Sequence, residues 1–188
     1  MDKIPVNIVV GRFQPFTDGH MLCVLAAKKQ LGIGTVICLI DTPDDKVDQR
    51  HPFPSSMMLP IYKELDNTYK TIVDVILIKN ADIVKIGELL NDKYEIKSWT
   101  CGTDRIDAYS KMAEKYHDKA GLADDFRMIE VKRSSDDVSA TKVRKALLDG
   151  DVKTFDKLTP YDTLRNVIRE PNKIYNELRK QILTVYGS

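Results

Sequence analysis

The stretch Ile4-Pro5-Val6-Asn7-Ile8-Val9-Val10-Gly11-Arg12-Phe13-Gln14-Pro15-Phe16-Thr17-Asp18-Gly19-His20 begins as an apolar run and ends as a string of turn formers and polar groups. Its apolar half reads as a strand buried on both faces, since a half-solvated strand would alternate apolar with polar residues. Gly11 lets the chain leave that strand tightly, Pro15 stiffens the turn, and Gly19 lets backbone approach a ligand. The spacing of Leu22, Leu25, Ala26 and Lys29 predicts a helix over 21–31, stopped by Gly32, with His20 in its first turn. Free N–H groups and the positive dipole end favour an anion there, and Arg12 adds a fixed charge. Strand, loop and helix start together read as a phosphate cradle.

The same alternation continues along the chain. Further strands are predicted over 35–40, 71–78, 96–101 and 126–131, and helices over 57–65, 83–90, 106–116, 141–148, 152–158 and 174–185. Near-continuous apolar strands separated by helices call for a parallel sheet covered on both faces. With right-handed crossovers this is a doubly wound α/β fold on five strands, followed by C-terminal helices. Two units are expected: an α/β domain over 1–150 and a helical extension packed on it over 151–188. Ligands of such folds bind beyond the carboxyl ends of the strands, so a motif that follows a strand is a candidate site. The polar stretches 41–50 and 133–137 both follow strands and are candidate active-site loops.

Composition narrows the function classes. The chain has 188 residues, 43% hydrophobic and 30% charged, with a formal net charge of +1. That balance excludes the basic footprint of a nucleic-acid binder but leaves room for a local cationic cluster facing a small anion. Cys23, Cys38 and Cys101 lie far apart without a CxxC pair. They read as buried reduced thiols, with no disulfide and no zinc-ligand spacing, which suits a cytoplasmic address. The N-terminus does not read as a signal peptide, and no apolar run approaches the roughly 18 residues of a membrane span.

Further strings carry charge or hydroxyls at helix starts. In Val138-Ser139-Ala140-Thr141-Lys142-Val143-Arg144, Ser139 is a plausible N-cap and Lys142 and Arg144 stand near the same point. Alone, this is a capped helix with basic residues on its outside. Gly102-Thr103-Asp104-Arg105 follows the strand containing Trp99. Asp104 there could accept from ribose hydroxyls or a base, and Arg105 could reach a phosphate. It also reads as a helix start with a favourable acidic residue. Arg50-His51-Pro52-Phe53 closes the first polar loop. His51 is either a ligand contact or a plain loop residue, and Lys46 before it reads as a solvated charge. Trp99 offers a face on which a cationic ring could stack, although its place in a strand favours core packing.

The first string resembles the GRFQPFHxGH signature of the HxGH nucleotidyltransferase superfamily, and within it the archaeal-type nicotinamide mononucleotide (NMN) adenylyltransferases and related phage-encoded enzymes. Thr17 stands where those enzymes usually carry the first His; Thr-x-Gly-His also occurs in the phosphopantetheine adenylyltransferases. The Ser139 string is similar to the ISxTxxR motif of the superfamily, whose hydroxyls and Arg hold the β- and γ-phosphates. Gly102 to Arg105 is similar to the nucleotide-contacting Gly-x-Asp loop. At Arg50 to Phe53 the archaeal-type enzymes have Asn-Pro-Phe and then a Glu-Arg helix. Here His51 replaces the Asn, and Ser55-Ser56-Met57-Met58 replaces the helix start.

The resemblance implies a Rossmann-like fold of nucleotidyltransferase type and direct attack by an acceptor phosphate on the α-phosphorus of a nucleoside triphosphate. It implies catalytic roles for His20, Arg12 and Arg144. Nucleotide and phosphate contacts are expected from Gly11, Phe13, Thr17, Gly19, Gly102, Asp104, Arg105, Ser139, Thr141 and Lys142, and acceptor contacts from His51 and Trp99. Mg²⁺ or another divalent cation is expected on the phosphates rather than on protein ligands. The leading expectation is ATP plus NMN giving NAD. The alternatives are another phosphorylated acceptor, CTP with a phosphorylated alcohol or sugar, or a nucleotide-binding sensor without catalysis. Partners are expected to be small molecules, with no nucleic acid or membrane. The expected address is the cytoplasm, or the host's cytoplasm for a phage-encoded chain. Relatives of this type often form homo-oligomers.

Overall fold

The computed structural model describes residues 2–132, 139–166 and 172–187. Among them, strands β1 (Ile4–Gly11), β2 (Gly34–Ile40), β3 (Ile72–Ile78), β4 (Tyr94–Gly102) and β5 (Arg127–Val131) form one sheet. Its order is β3-β2-β1-β4-β5, and every pairing is parallel. The helices are α1 (Asp18–Leu31), α2 (Ser55–Thr68), α3 (Ile83–Leu90), α4 (Thr103–Tyr116), α5 (Ala140–Asp149), α6 (Val152–Leu158) and α7 (Lys173–Gly187). Short 3₁₀ turns lie at Asp44–Lys46 and Tyr161–Asn166. This is the doubly wound arrangement that the strand and helix alternation demands, with a switch point between β1 and β4.

Alternate residues along each strand supply the two cores. Val9, Ile37, Leu39 and Val75 face a cluster built from α1, α2 and the C-terminal helices, with Met58, Tyr62, Leu147 and Leu178 inside it. Ile8, Val36, Cys38 and Ile96 face the other cluster, which α3 and α4 close with Ile83, Ile86, Leu90 and Ala113. A polar seam crosses the sheet between them. Asn7 is fully buried, donates to Thr35 Oγ1 at 3.0 Å, and accepts from Ser98 Oγ at 2.8 Å and Thr100 Oγ1 at 2.9 Å. A buried amide with every partner in place pins the register of β1 against both neighbours. Cys23, Cys38 and Cys101 are buried thiols. No helix among the described residues is long and apolar enough to cross a membrane.

Several helices begin earlier than their apolar spacing predicts. Helix α1 starts at Asp18 behind the N-cap Thr17 and ends at Gly32, which takes the left-handed conformation (φ 69°). Helix α2 starts at Ser55 and runs through Pro60 in its interior. First turns are polar and carry no periodic signal, so apolar spacing finds them late.

Candidate active site

The loop from Gly11 to Thr17 is held from several directions. A Cβ on Gly11 would lie 2.9 Å from the Phe13 ring, so only glycine lets that ring pack against the strand end. Phe13 has φ 47°, a left-handed conformation that is strained for a bulky residue. Tyr62 from α2 stabilises it: its hydroxyl donates to the Phe13 carbonyl at 2.7 Å and accepts the Phe16 N–H at 3.0 Å. The Tyr161 hydroxyl donates to the Phe16 carbonyl at 2.7 Å. Burial pushes both phenols above their ordinary values, so they remain protonated. Gln14 grips the end of the first polar loop through both ends of its amide, donating to the Phe53 carbonyl at 2.8 Å and accepting the Phe53 N–H at 2.9 Å.

His20 occupies the third position of α1. The Thr17 N–H donates to His20 Nδ1 at 3.0 Å, and Thr17 Oγ1 lies 3.2 Å from the same nitrogen. A backbone N–H can only donate, so Nδ1 accepts and the proton of the neutral ring sits on Nε2. Phe13 meets the ring edge-on at 4.9 Å and Phe16 lies tilted against it at 5.3 Å. Thr17 is fully buried and Gly19 is buried. Thr17, expected to touch nucleotide, therefore meets His20 instead and orients its ring.

A cavity of about 430 Å³ opens at the carboxyl ends of β1 and β4. It brings together Gly11, Arg12, Phe13, His20, His51, Gly102, Asp104 and Arg105, which come from four separate stretches of chain. Asp104 and Arg105 are exposed, with their charged groups 4.0 Å apart. Helix α5 approaches the signature loop from its other side. Ser139 caps it by accepting the Lys142 N–H at 3.2 Å. Arg144 donates to the Gln14 carbonyl at 2.8 Å and to Thr141 Oγ1 at 3.3 Å. Ser139, Thr141, Lys142 and Arg144 are not part of the wall around His20; Arg144 joins their helix to it through Gln14.

The site is electropositive. Arg12 donates to the Asp41 carbonyl at 3.2 Å. No ion pair among the described residues engages Arg12, Arg50 or Arg144. Burial, and then the neighbouring Arg50, lower the pKa of Arg144, while Tyr186 opposes them. Burial also holds His51 below the usual histidine value; Arg12, Arg50 and Arg144 act in the same direction against Asp48. Guanidiniums that no described carboxylate pairs, close to this imidazole, make an environment that an anion would relieve.

Trp99 requires a correction. It is fully buried and stacked on Tyr109 at 4.2 Å with 20° between the rings. Its place in the interior of β4, under α4, removes it from ligand contact, and Tyr109 lines the cavity in its stead. His51, by contrast, stands in the cavity wall. The stretch 133–137 and Val138 lie outside the described residues. Tyr62 and Tyr161 carried no sequence signal as supports of the loop, because each reaches it from far along the chain. Gln14 lies inside the quoted signature, yet only the fold shows that its amide grips Phe53.

Residues 8–146 match the profile of a family described as cytidylyltransferase-like. No curated protein sequence matches the chain. The nicotinic acid mononucleotide adenylyltransferase of Plasmodium falciparum, solved in complex with NaAD, superposes with a TM-score of 0.51 at 17% identity, over 92% of this chain and 98% of that one. A bifunctional NMN adenylyltransferase/ADP ribose pyrophosphatase from Francisella tularensis gives 0.56 at 17% identity, over 94% of this chain and 53% of that one. In its complex with AMP and manganese the TM-score is 0.54 at 18% identity, over 94% of this chain and 52% of that one. At these identities the likeness is one of fold.

Proposed function

The chain belongs to the cytidylyltransferase-like family, and from that premise we propose that it transfers an adenylyl group from ATP to nicotinamide mononucleotide, giving NAD and pyrophosphate. The observation that carries nucleotidyl transfer is the cavity at the strand ends that brings Arg12, His20 and His51 together, with Arg50 and Arg144 near enough to act on His51. The choice of ATP and NMN rests on two supports. One is the resemblance of the Gly11 to His20 string to archaeal-type and phage-encoded enzymes. The other is that the structural neighbours from Plasmodium and Francisella bear the names of NaMN and NMN adenylyltransferases.

In this reading the triphosphate lies across the start of α1 and the face of α5. An acceptor phosphate oxygen attacks the α-phosphorus in line. The new P–O bond forms as the bond from the α-phosphorus to the bridging β-oxygen breaks, and pyrophosphate leaves with the electron pair. No proton has to move and no enzyme-bound intermediate forms. His20 donates from Nε2 to a phosphate oxygen, as its Nδ1 contact with Thr17 dictates. Arg12, Arg144, Lys142 and the hydroxyls of Ser139 and Thr141 meet the departing pyrophosphate. Asp104 accepts from ribose hydroxyls beside Gly102, Arg105 reaches phosphate, and His51 faces the phosphates from the opposite loop. Positioning of this kind can supply about 7–11 kcal/mol of barrier reduction. Among the described residues no group of three His, Cys, Asp or Glu side chains stands ready to hold a metal. In this reading a divalent cation such as Mg²⁺ would be carried by the triphosphate and would shield its charge. Residues 1–150 carry the transfer chemistry and 151–188 form the extension packed on it.

A second reading, cytidylyl transfer from CTP to a phosphorylated alcohol or sugar, is favoured by the family's description. Both are tested by incubating the protein with Mg²⁺, each of ATP and CTP, and a panel of phosphorylated acceptors, with pyrophosphate as the readout. ATP with NMN is expected to give stoichiometric NAD and pyrophosphate. Turnover confined to CTP would establish the second reading, and nucleotide binding with no pyrophosphate from any pair would make the protein a sensor.

A further inference from the structure

Helix α7 reaches the site from outside it. Its apolar side is embedded through Ile174, Leu178 and Ile182, and its polar side makes contacts of a different kind. Arg179 Nη1 donates to the Leu147 carbonyl in α5 at 3.0 Å. Gln181 Nε2 donates to the Pro52 carbonyl at 2.9 Å, and the Tyr186 hydroxyl donates to the Gln49 carbonyl at 3.2 Å. One helix thus ties together α5, which carries Thr141 and Arg144, and the turn from Gln49 to Pro52, which carries Arg50 and His51. The turn has internal bonds of its own: the His51 N–H donates to Asp48 Oδ1 at 2.6 Å, and the Asp48 N–H to the His51 carbonyl at 3.2 Å. Gln14 holds it on the cavity side at Phe53, and α7 holds it on the outer side.

We propose that Gln181 and Tyr186 are positioning residues: they set the Gln49–Pro52 turn so that Arg50 and His51 face Arg12 and Arg144, and α7 thereby completes the triphosphate side of the site. This rests on the nucleotidyl-transfer reading. A purely structural role fits the contacts less well. Gln49 is exposed, so water can replace the phenol at its carbonyl with little loss of stability. The register of the turn, in contrast, has no other outer support among the described bonds of Gln49 and Pro52.

The test uses Tyr186→Phe, Gln181→Met and the double variant in the full chain. The protein has three histidines, His20, His51 and His117, so each imidazole can be followed by NMR. The groups that set the titration of His51 are Asp48, Arg12, Arg50 and Arg144, together with its burial. Release of the turn lets water reach the ring, and its midpoint is expected to rise toward the ordinary value of about 6.5, while His20 and His117 stay in place. KM for the triphosphate is expected to rise about 3- to 10-fold per variant, the size of one lost hydrogen bond, with kcat and the melting temperature near wild type. Unchanged His51 titration and unchanged KM in the double variant would overturn the proposal. So would a loss in which all three histidines shift and the melting temperature falls in parallel, since that reports a structural role. Failure of the nucleotidyl-transfer reading shows separately, as absence of pyrophosphate from the wild-type protein, and the His51 signal judges the clamp without any substrate.

Discussion

His20 and Arg144 show how little freedom the critical side chains have. Arg144 divides its guanidinium between the Gln14 carbonyl and Thr141 Oγ1, with the planar fork spanning two acceptors on different elements. A lysine ammonium at the same place is a point charge that cannot span both. Arg144→Lys is therefore expected to lower kcat/KM by about 10- to 100-fold, in line with the loss of a charge-assisted bond, and steady-state kinetics read it. His51 makes a prediction of opposite character. Its titration lies below the ordinary histidine value chiefly because of its partial burial, with Arg12, Arg50 and Arg144 acting in the same direction and Asp48 opposing them. A triphosphate bound beside it adds negative charge and raises that value. The complex therefore takes up protons in the window between the two values, and affinity increases as pH falls through that window, reaching its plateau below the free protein's value. Calorimetry in two buffers of different ionisation heat, from about pH 5.5 to 7, measures the uptake; a proton count of zero across that range would remove His51 from the phosphates.

At the scale of elements, the strained loop between β1 and α1 is kept in place by tyrosines from elsewhere. Tyr62 serves the Phe13 carbonyl and the Phe16 N–H together. Tyr62→Phe leaves both buried groups without that partner, at a cost of about 1–3 kcal/mol, so the melting temperature is expected to fall by roughly 3–10 °C for a chain of this size. An unchanged transition would show that the loop does not depend on the clamp. These supports mark the limit of what the sequence discloses. The strand Ile4–Gly11 and the helix Ile83–Leu90 are legible because their signals, apolar continuity and apolar periodicity, are local. The start of α1 is less so: Thr17, Asp18, Gly19 and His20 have no periodicity, and only N-cap chemistry marks them. Pro60 inside α2 argues locally for a break, yet the buried face of Met58, Ile61, Tyr62 and Leu65 carries the helix through it. Tyr161 lies 145 residues from the carbonyl that it holds, and no spacing rule reaches so far. Trp99 offers two local readings, a face on which a ring could stack and a core residue of its strand; the strand position, which favours the core, prevails, and the ring lies stacked with Tyr109.

At the scale of the whole molecule, a chain with a net charge of +1 concentrates cationic groups at one end of its sheet. The field there arises from placement, since the strand order brings the loop after β1 next to the loop after β4. Two consequences follow for the intact protein. ATP at about 100 times its dissociation constant is expected to stabilise the fold by about 2.7 kcal/mol, a rise of roughly 5–10 °C in melting temperature, and that rise should shrink as added salt screens the guanidiniums. A thermal scan with and without nucleotide, at low and high ionic strength, measures both. The chemistry itself is tested most directly by the rate of pyrophosphate release from Mg²⁺, ATP and NMN, compared between the wild-type protein and His20→Ala. Transfer assisted by a donor from His20 predicts a fall in kcat of about 10²- to 10³-fold, the size of losing one transition-state donor, with the fold intact by circular dichroism. Turnover near that of the wild type in the alanine variant would contradict it.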